Sequence, residues 1–430
     1  MKGRRRAAAA VLALLAIAAP AAGQSVQKGE ADTQDSPPPG VFGPFDRLRQ
    51  KASDAGITLS ARYISELGFN PAGGKTSSVT ETGQADVGAK LDLDKLAGLK
   101  GGTFNAVVTW RRGKLLDDVA GIDTLQQTQE IYGRGQTWRL TRLWYEQKLG
   151  RTSVKLGRSN VGEDFATFSC DFMNLSFCGA QPGNLVGDYW YNWPVSQWMA
   201  RVKVAAGSGY VQLGAYEVNP LNLRKTFTIG YFHGATGVLL PVEGVWKPKL
   251  GGLPGTYRIG AWYDTSRADD AVLDQQGSIA AITGVEPLQR DGRWGAWALL
   301  RQQVTGSADQ DGTVKGLTLF TRATQADRRT ARIDNQLVVG LFYEGIRAAA
   351  PDDVLGLAIG RTHVNGRVAA AERITGRPVE GSEYAGELFY SLHPAAGLIV
   401  RPSVQYVIDP GGRRDHANAV ALGLKTAINL

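Results

Sequence analysis

Cysteine is almost missing from this chain. Only Cys170 and Cys178 occur in 430 residues. Histidine is scarce as well, with His233, His363, His393 and His416 scattered along the sequence. A disulfide-dense scaffold is thereby excluded, and no Cys/His cluster stands at metal-ligand spacing. Beyond residue 23 no apolar run approaches the roughly 18 residues that a spanning helix needs. A helical membrane bundle is excluded, but a barrel is not, because barrel strands present apolar residues only at alternate positions. Also lacking are GxSxG, HExxH, a Rossmann glycine pattern and a Walker A loop. The glycines of GRGQT at 133–137 read as loop composition. The chain therefore reads as neither an enzyme nor a cofactor carrier. The paired acids Asp117–Asp118, Asp269–Asp270 and Asp352–Asp353 read as solvated loop features, with weak divalent-cation contact at the surface as the alternative.

What is present begins with an export signal. Lys2, Arg4, Arg5 and Arg6 form a basic start, Ala7 to Ala19 an apolar stretch, and Ala21, Ala22 and Gly23 a small-residue cleavage site. Residues 1–23 thus read as a secretory signal peptide. They carry four positive charges and no acid, so the formal charge falls from +8 to +4 without them. That small excess on an exported chain argues against a nucleic-acid partner. Residues 24–56 form a polar, proline-rich lead-in followed by a short helix, Phe45 to Ala55, with Phe45, Leu48 and Ala52 on one face and Gly56 as its stop.

From residue 57 to 430 the pattern is strand after strand, with no internal linker. In the segment 397–408, Leu398, Val400, Pro402, Val404 and Tyr406 alternate with Ile399, Arg401, Ser403, Gln405 and Val407. A period of two places these sets on opposite faces. The last segment repeats the pattern, with Val420, Leu422, Leu424, Thr426, Ile428 and Leu430 against Ala421, Gly423, Lys425, Ala427 and Asn429. Sixteen such segments are predicted: 58–68, 84–94, 101–111, 137–148, 152–160, 198–206, 209–217, 236–246, 255–264, 293–303, 315–323, 334–343, 353–361, 383–392, 397–408 and 418–430. The eighth is placed at Thr236–Trp246 rather than Thr226–Phe232, which would leave one turn anomalously long. Connections after even-numbered segments are short, such as 149–151 and 207–208. The long ones, 112–136, 161–197, 218–235, 265–292 and 362–382, follow odd-numbered segments. This asymmetry belongs to a transmembrane antiparallel β-barrel with both ends on the short-turn, periplasmic side. The fold class expected is all-β, a sixteen-stranded barrel with a short N-terminal segment or helix, whose last strand closes on its first.

Several pieces resemble the carbohydrate-selective outer-membrane porins, the glucose-porin family of Gram-negative bacteria. They are LDLDKLAGLKGGTF at 91–104, LTRLWYEQKLG at 140–150, VKLGRSN at 154–160, LPGTYRIGAWYDT at 253–265, PDDVLGLAIG at 351–360, EYAGELFYSLHP at 383–394 and VRPSVQYVIDPGG at 400–412. They run in the family's order over nearly the whole of 57–430. The resemblance implies a barrel with one pore per chain in the cell outer membrane, passing monosaccharides such as glucose by diffusion, and it allows a homotrimer. Outer-membrane lipids, lipopolysaccharide and the outer-membrane assembly machinery are the implied partners. The chain departs from the family at its end, Asn429–Leu430, where members commonly finish in Phe.

A sugar passage needs charged donors and acceptors in short rows, aromatic faces for the ring, and binding weak enough to release. Arginine offers five donors and a carboxylate accepts from paired hydroxyls. The candidates are Arg158, which precedes the longest loop, Asp164 within that loop, Arg258 and Trp262 on one face of a clean strand, Arg401 and Gln405 on the polar face of theirs, and Glu243, whose nominal face also carries Leu239 and Val245. The alternative for each is a wall residue in a charge network that never touches sugar. Arg139 lies where alternation slips, so its facing is open. Loop 161–197, rich in Phe and Trp, is expected to fold inward and form the constriction, with a Cys170–Cys178 bridge keeping it compact. Competing readings are a general or anion-biased porin of the same fold, a barrel enzyme, and a soluble secreted carbohydrate-binding β-protein.

Overall fold

The structure, a computed structural model, describes residues 40–41, 43–227, 229, 233–308, 314–347, 350 and 352–429. The signal-peptide segment and Leu430 lie outside them. Sixteen long antiparallel strands follow one another: β1 (Ile57–Ala72), β2 (Val79–Asp92), β3 (Gly102–Gly113), β4 (Trp138–Leu149), β5 (Thr152–Ser159), β6 (Gln197–Ala206), β7 (Gly209–Val218) and β8 (Gly237–Trp246). The second half comprises β9 (Leu253–Asp274), β10 (Pro287–Gln303), β11 (Val314–Ala326), β12 (Ile333–Glu344), β13 (Val354–Val364), β14 (Ser382–Ala395), β15 (Leu398–Ile408) and β16 (Ala419–Asn429). Two-residue ladders at Lys249–Leu250 and Ser307–Ala308 sit in short turns. Each long strand pairs with its sequence neighbour, and β16 pairs with β1 from Arg62 opposite Asn429 to Ala72 opposite Val420. The sheet is closed, and no helix among the described residues is long and apolar enough to cross a membrane.

Alternation turns this barrel inside out relative to a soluble protein. Leu67, Val202, Leu213, Val339, Ile359 and Leu422 are exposed on its outer face, and Ile259 is 71% exposed. Glu66, Arg201, Gln212, Gln336, Glu387 and Lys425 are buried on the inner one. Such an outer face suits hydrocarbon, where each strand satisfies its backbone through its neighbours.

All sixteen predicted segments have a counterpart. The largest difference is the 265–292 connection. There β9 runs on to Asp274 and β10 starts at Pro287, forming one long hairpin held by pairs such as Arg267 opposite Asp291. The N-terminal helix spans Gly43–Asp54 and packs on β1. Its seated face is not the predicted one: Leu48 is exposed, while Arg49 and Ser53 are buried. Arg49 also bonds Asp46 at 3.2 Å. The paired acids are likewise not all solvated. Asp117, Asp270 and Asp353 are buried. Asp117 accepts from Thr124 and Thr128, Asp270 from Arg290 and Arg367, and Asp353 from Arg347 and Tyr390. Arginines answer the charge of Asp270 and Asp353, whereas Asp117 is held by neutral donors.

Candidate transport path

The segment from Asn160 to Ser196 crosses the interior and is clasped by one wall after another. It starts in a single helical turn, Val161–Asp164. Glu163 takes Arg142 at 2.7 Å, Lys155 at 2.8 Å and the Trp144 indole N–H at 3.0 Å. Asp164 takes Lys155, Arg201 and the Tyr216 hydroxyl at 2.9–3.1 Å. Burial pushes the Glu163 carboxyl up, but Arg142 and then Lys155 outweigh it, so it titrates well below the ordinary range. Further along, Glu243 of β8 accepts from the Ala166 N–H at 2.9 Å and from the Trp297 indole at 3.1 Å.

On the far side the same segment reaches β14 and β15. Arg401 pairs with Asp171 at 3.1 Å, and Glu387 accepts the N–H groups of Met173 and Asn174 at 2.8 and 2.7 Å. Gln405 accepts from the Asn174 amide at 3.0 Å and donates to the Thr128 carbonyl at 2.9 Å. Cys170 and Cys178 are joined by a disulfide. Between these anchors the segment has its own apolar core. Phe172 lies 4.8 Å from Phe389 and 5.3 Å from Phe177, ring to ring. Trp190 meets Trp262 and Trp297 edge-on, each at 5.4 Å. Those two strand tryptophans pack against glycines. Gly260 faces Trp297 and Gly295 faces Trp262, and a Cβ at either glycine would lie 2.1 Å from the facing ring.

The connection between β3 and β4 also folds inward, which sequence reasoning missed. Gln129 donates to the Glu66 carbonyl at 2.7 Å, Glu130 pairs with Lys425 at 2.8 Å, and the N–H groups of Leu125 and Gln126 reach Glu383. It joins the longer segment directly, the Glu130 N–H donating to the Met173 carbonyl at 2.8 Å. The signal was its apolar content: Leu115, Leu116, Ile122 and Ile131 are too many for a solvated loop, and all four are buried.

The predicted site residues fall in two groups. Asp164, Glu243, Arg258, Trp262, Arg401 and Gln405 are all on the interior side and all buried. Arg258 reaches Glu243 at 3.3 Å and the Tyr210 hydroxyl at 2.9 Å, and Trp262 donates to the Tyr189 hydroxyl at 3.1 Å. Arg158 is a correction. It has the parity of exposed Leu156, opposite inward Lys155, and its register partner is Trp198 rather than Met199. Its guanidinium donates to the Ser196 carbonyl at 2.8 Å and to Asn222 at 2.9 Å. It sits at the end of β5 under the β7–β8 connection. Arg139, left open by the sequence, is buried and bonds the Asn222 carbonyl at 3.0 Å. The slip beside it is a register shift between Val107 and Val108.

Interior groups that keep accessible surface lie elsewhere, along β1 to β4. Asp86, Lys90, Arg142 and Trp193 are partly exposed, and Arg62, in register with Asp86, is exposed. Trp193 donates to Gln84 at 3.2 Å, and the Arg142 guanidinium lies 5.0 Å from the centre of its ring. Asp86 accepts from Thr109 and Gln84, each at 2.8 Å, and the Arg111 Nε donates to Gln84 at 2.7 Å. This is a row of donors and acceptors beside an aromatic face.

Comparison with known proteins agrees with this architecture. Residues 76–430 match the family model described as carbohydrate-selective porin, OprB family. The chain is 40% identical to Porin B of Pseudomonas aeruginosa over 99% of its own length and 98% of that protein. It is 31% identical to the putative porin QuiX of Acinetobacter baylyi, over 90% and 92% of the two chains. The high-pH structure of Pseudomonas putida OprB superposes with a TM-score of 0.87 at 38% identity, covering 92% of this chain and 99% of that one. The chain belongs to the carbohydrate-selective OprB porin family, and it is an outer-membrane β-barrel for the passive diffusion of sugars.

Proposed function

We propose that the cargo is a monosaccharide, glucose among them, and that it passes between the clasped 160–196 segment and the β1–β4 wall. The observation that carries this reading is Trp193, held to Gln84 with its ring partly exposed beside Arg142 and near accessible Asp86. The ring offers a face to the apolar side of a pyranose. Asp86 spends only part of its four or so acceptor sites on Thr109 and Gln84, leaving others for hydroxyls. Asp164, Glu243, Arg258, Trp262, Arg401 and Gln405 act from behind: they fix the segment that narrows the passage and do not touch the sugar. Pairing of the inward cations with acids weakens the case for an anion-biased pore.

The reading includes export directed by residues 1–23, both termini in the periplasm, and a homotrimer bordered by outer-membrane lipid and lipopolysaccharide. The test is Trp193→Ala in planar bilayers, titrated with glucose. Block of the ion current by glucose should weaken several-fold while conductance without sugar holds or rises. Block unchanged by the substitution contradicts the proposed path.

A further inference from the structure

Many strongly buried cations inside this barrel have a carboxylate, and others, such as Arg111 on Gln84 and two backbone carbonyls, rest on neutral acceptors. Lys155 has Glu163 and Asp164, Arg201 has Glu146 and Asp164, Arg293 has Asp264, and Lys425 has Glu66 and Glu130. Arg322 on β11 differs. It is 1% exposed, and among the described residues its only polar partner is the Gly179 carbonyl, with the Phe168 ring 4.4 Å from its guanidinium carbon. Its register neighbours are Leu299 and Val338, both buried and apolar. The Nε and Nη1 groups have no acceptor in the protein.

A second orphaned donor belongs to the same pair of elements. Gln181 follows Gly179 by two residues as Thr324 follows Arg322, and the Thr324 hydroxyl donates to the Gln181 side-chain Oε1 at 2.8 Å. That bond fixes the Gln181 amide, whose Nε2 is buried without an acceptor. Three unanswered donor groups on two elements joined by Arg322–Gly179 and Thr324–Gln181, with one full positive charge and an apolar surround, suit a small negative acceptor. A neutral acceptor would satisfy the N–H groups and leave the charge uncompensated, and an uncompensated buried charge is strongly unfavourable.

We propose that Arg322, with the Gln181 amide, holds a small monovalent anion of the chloride class between β11 and the 179–181 segment. The anion completes the contact of the clasped segment with β11, where the Arg322 charge has no carboxylate. The site is independent of the sugar path, since Arg322 is sealed from it. Binding forms ionic hydrogen bonds only and needs no covalent step.

Bromide is the probe. Crystals of the intact barrel soaked in bromide should show an anomalous peak within hydrogen-bond reach of Arg322 Nε or Nη1. In detergent, the melting temperature should rise saturably with bromide at constant ionic strength, by roughly 2 °C or more. Arg322→Met should lose that response, and in halide-free buffer it should be no less stable than the parent, having shed an unpaired charge. Absence of an anomalous peak at Arg322, or an equal bromide response in Arg322→Met, overturns the proposal. If Arg322→Met does not fold, the crystallographic result decides alone.

Discussion

Glu163 and its four donors, Arg142, Lys155, Trp144 and Ser159, show how one side chain anchors the 160–196 segment. Its carboxyl is held far below the usual carboxylate range despite burial, because Arg142 and Lys155 both pair with it. A depressed folded-state value contributes stability that is present above the unfolded value, near 4.3. That stability is lost only as pH falls through the much lower folded value. Carboxyl-carbon NMR of Glu163 should therefore show an ionised signal throughout pH 7 to 4. A midpoint within that window contradicts the pairing. Gly260 makes a second residue-scale case. A methyl group there would run into Trp297, so Gly260→Ala should destabilise the barrel by about 1–3 kcal/mol, as overpacking does, measured by heat-induced loss of the folded band. Residue facing was legible wherever polar and apolar alternation was clean, as at Arg258 and Gln405. Arg158 is a candidate by its place before the longest loop, although Val154 and Leu156 against Lys155 already set its parity outward. Sequence alone does not separate an inward residue that touches cargo from one buried behind a loop.

At the scale of elements, strand count and loop asymmetry were readable because a period of two is written into each strand. The inward course of the 160–196 segment was readable from its Phe and Trp content, which has no place in a solvated loop. Its anchors were not, because Asp171 to Arg401 and Met173 to Glu387 join residues more than two hundred positions apart. The β3–β4 connection shows the same limit: Lys425 meets Glu130 across most of the chain. The segment's role has a direct test. Removing residues 166–180 deletes the disulfide and the Phe172 contacts while leaving both flanking strands. Single-channel conductance should rise and discrimination by sugar size should relax. Unchanged conductance and selectivity would sink the role assigned to this segment.

For the molecule as a whole, closure of β16 on β1 leaves no free edge, and the exposed apolar outer face calls for lipid. The interior is crossed by the clasped 160–196 segment, and the proposed passage beside it would discriminate by contact as well as by width. Liposome swelling tests this most directly. Vesicles carrying the purified barrel should swell readily in glucose and much more slowly in a disaccharide than the difference in diffusion would give. Swelling in glucose no faster than in protein-free vesicles would contradict the account, and equal entry of all sugars scaled by size alone would remove its selectivity.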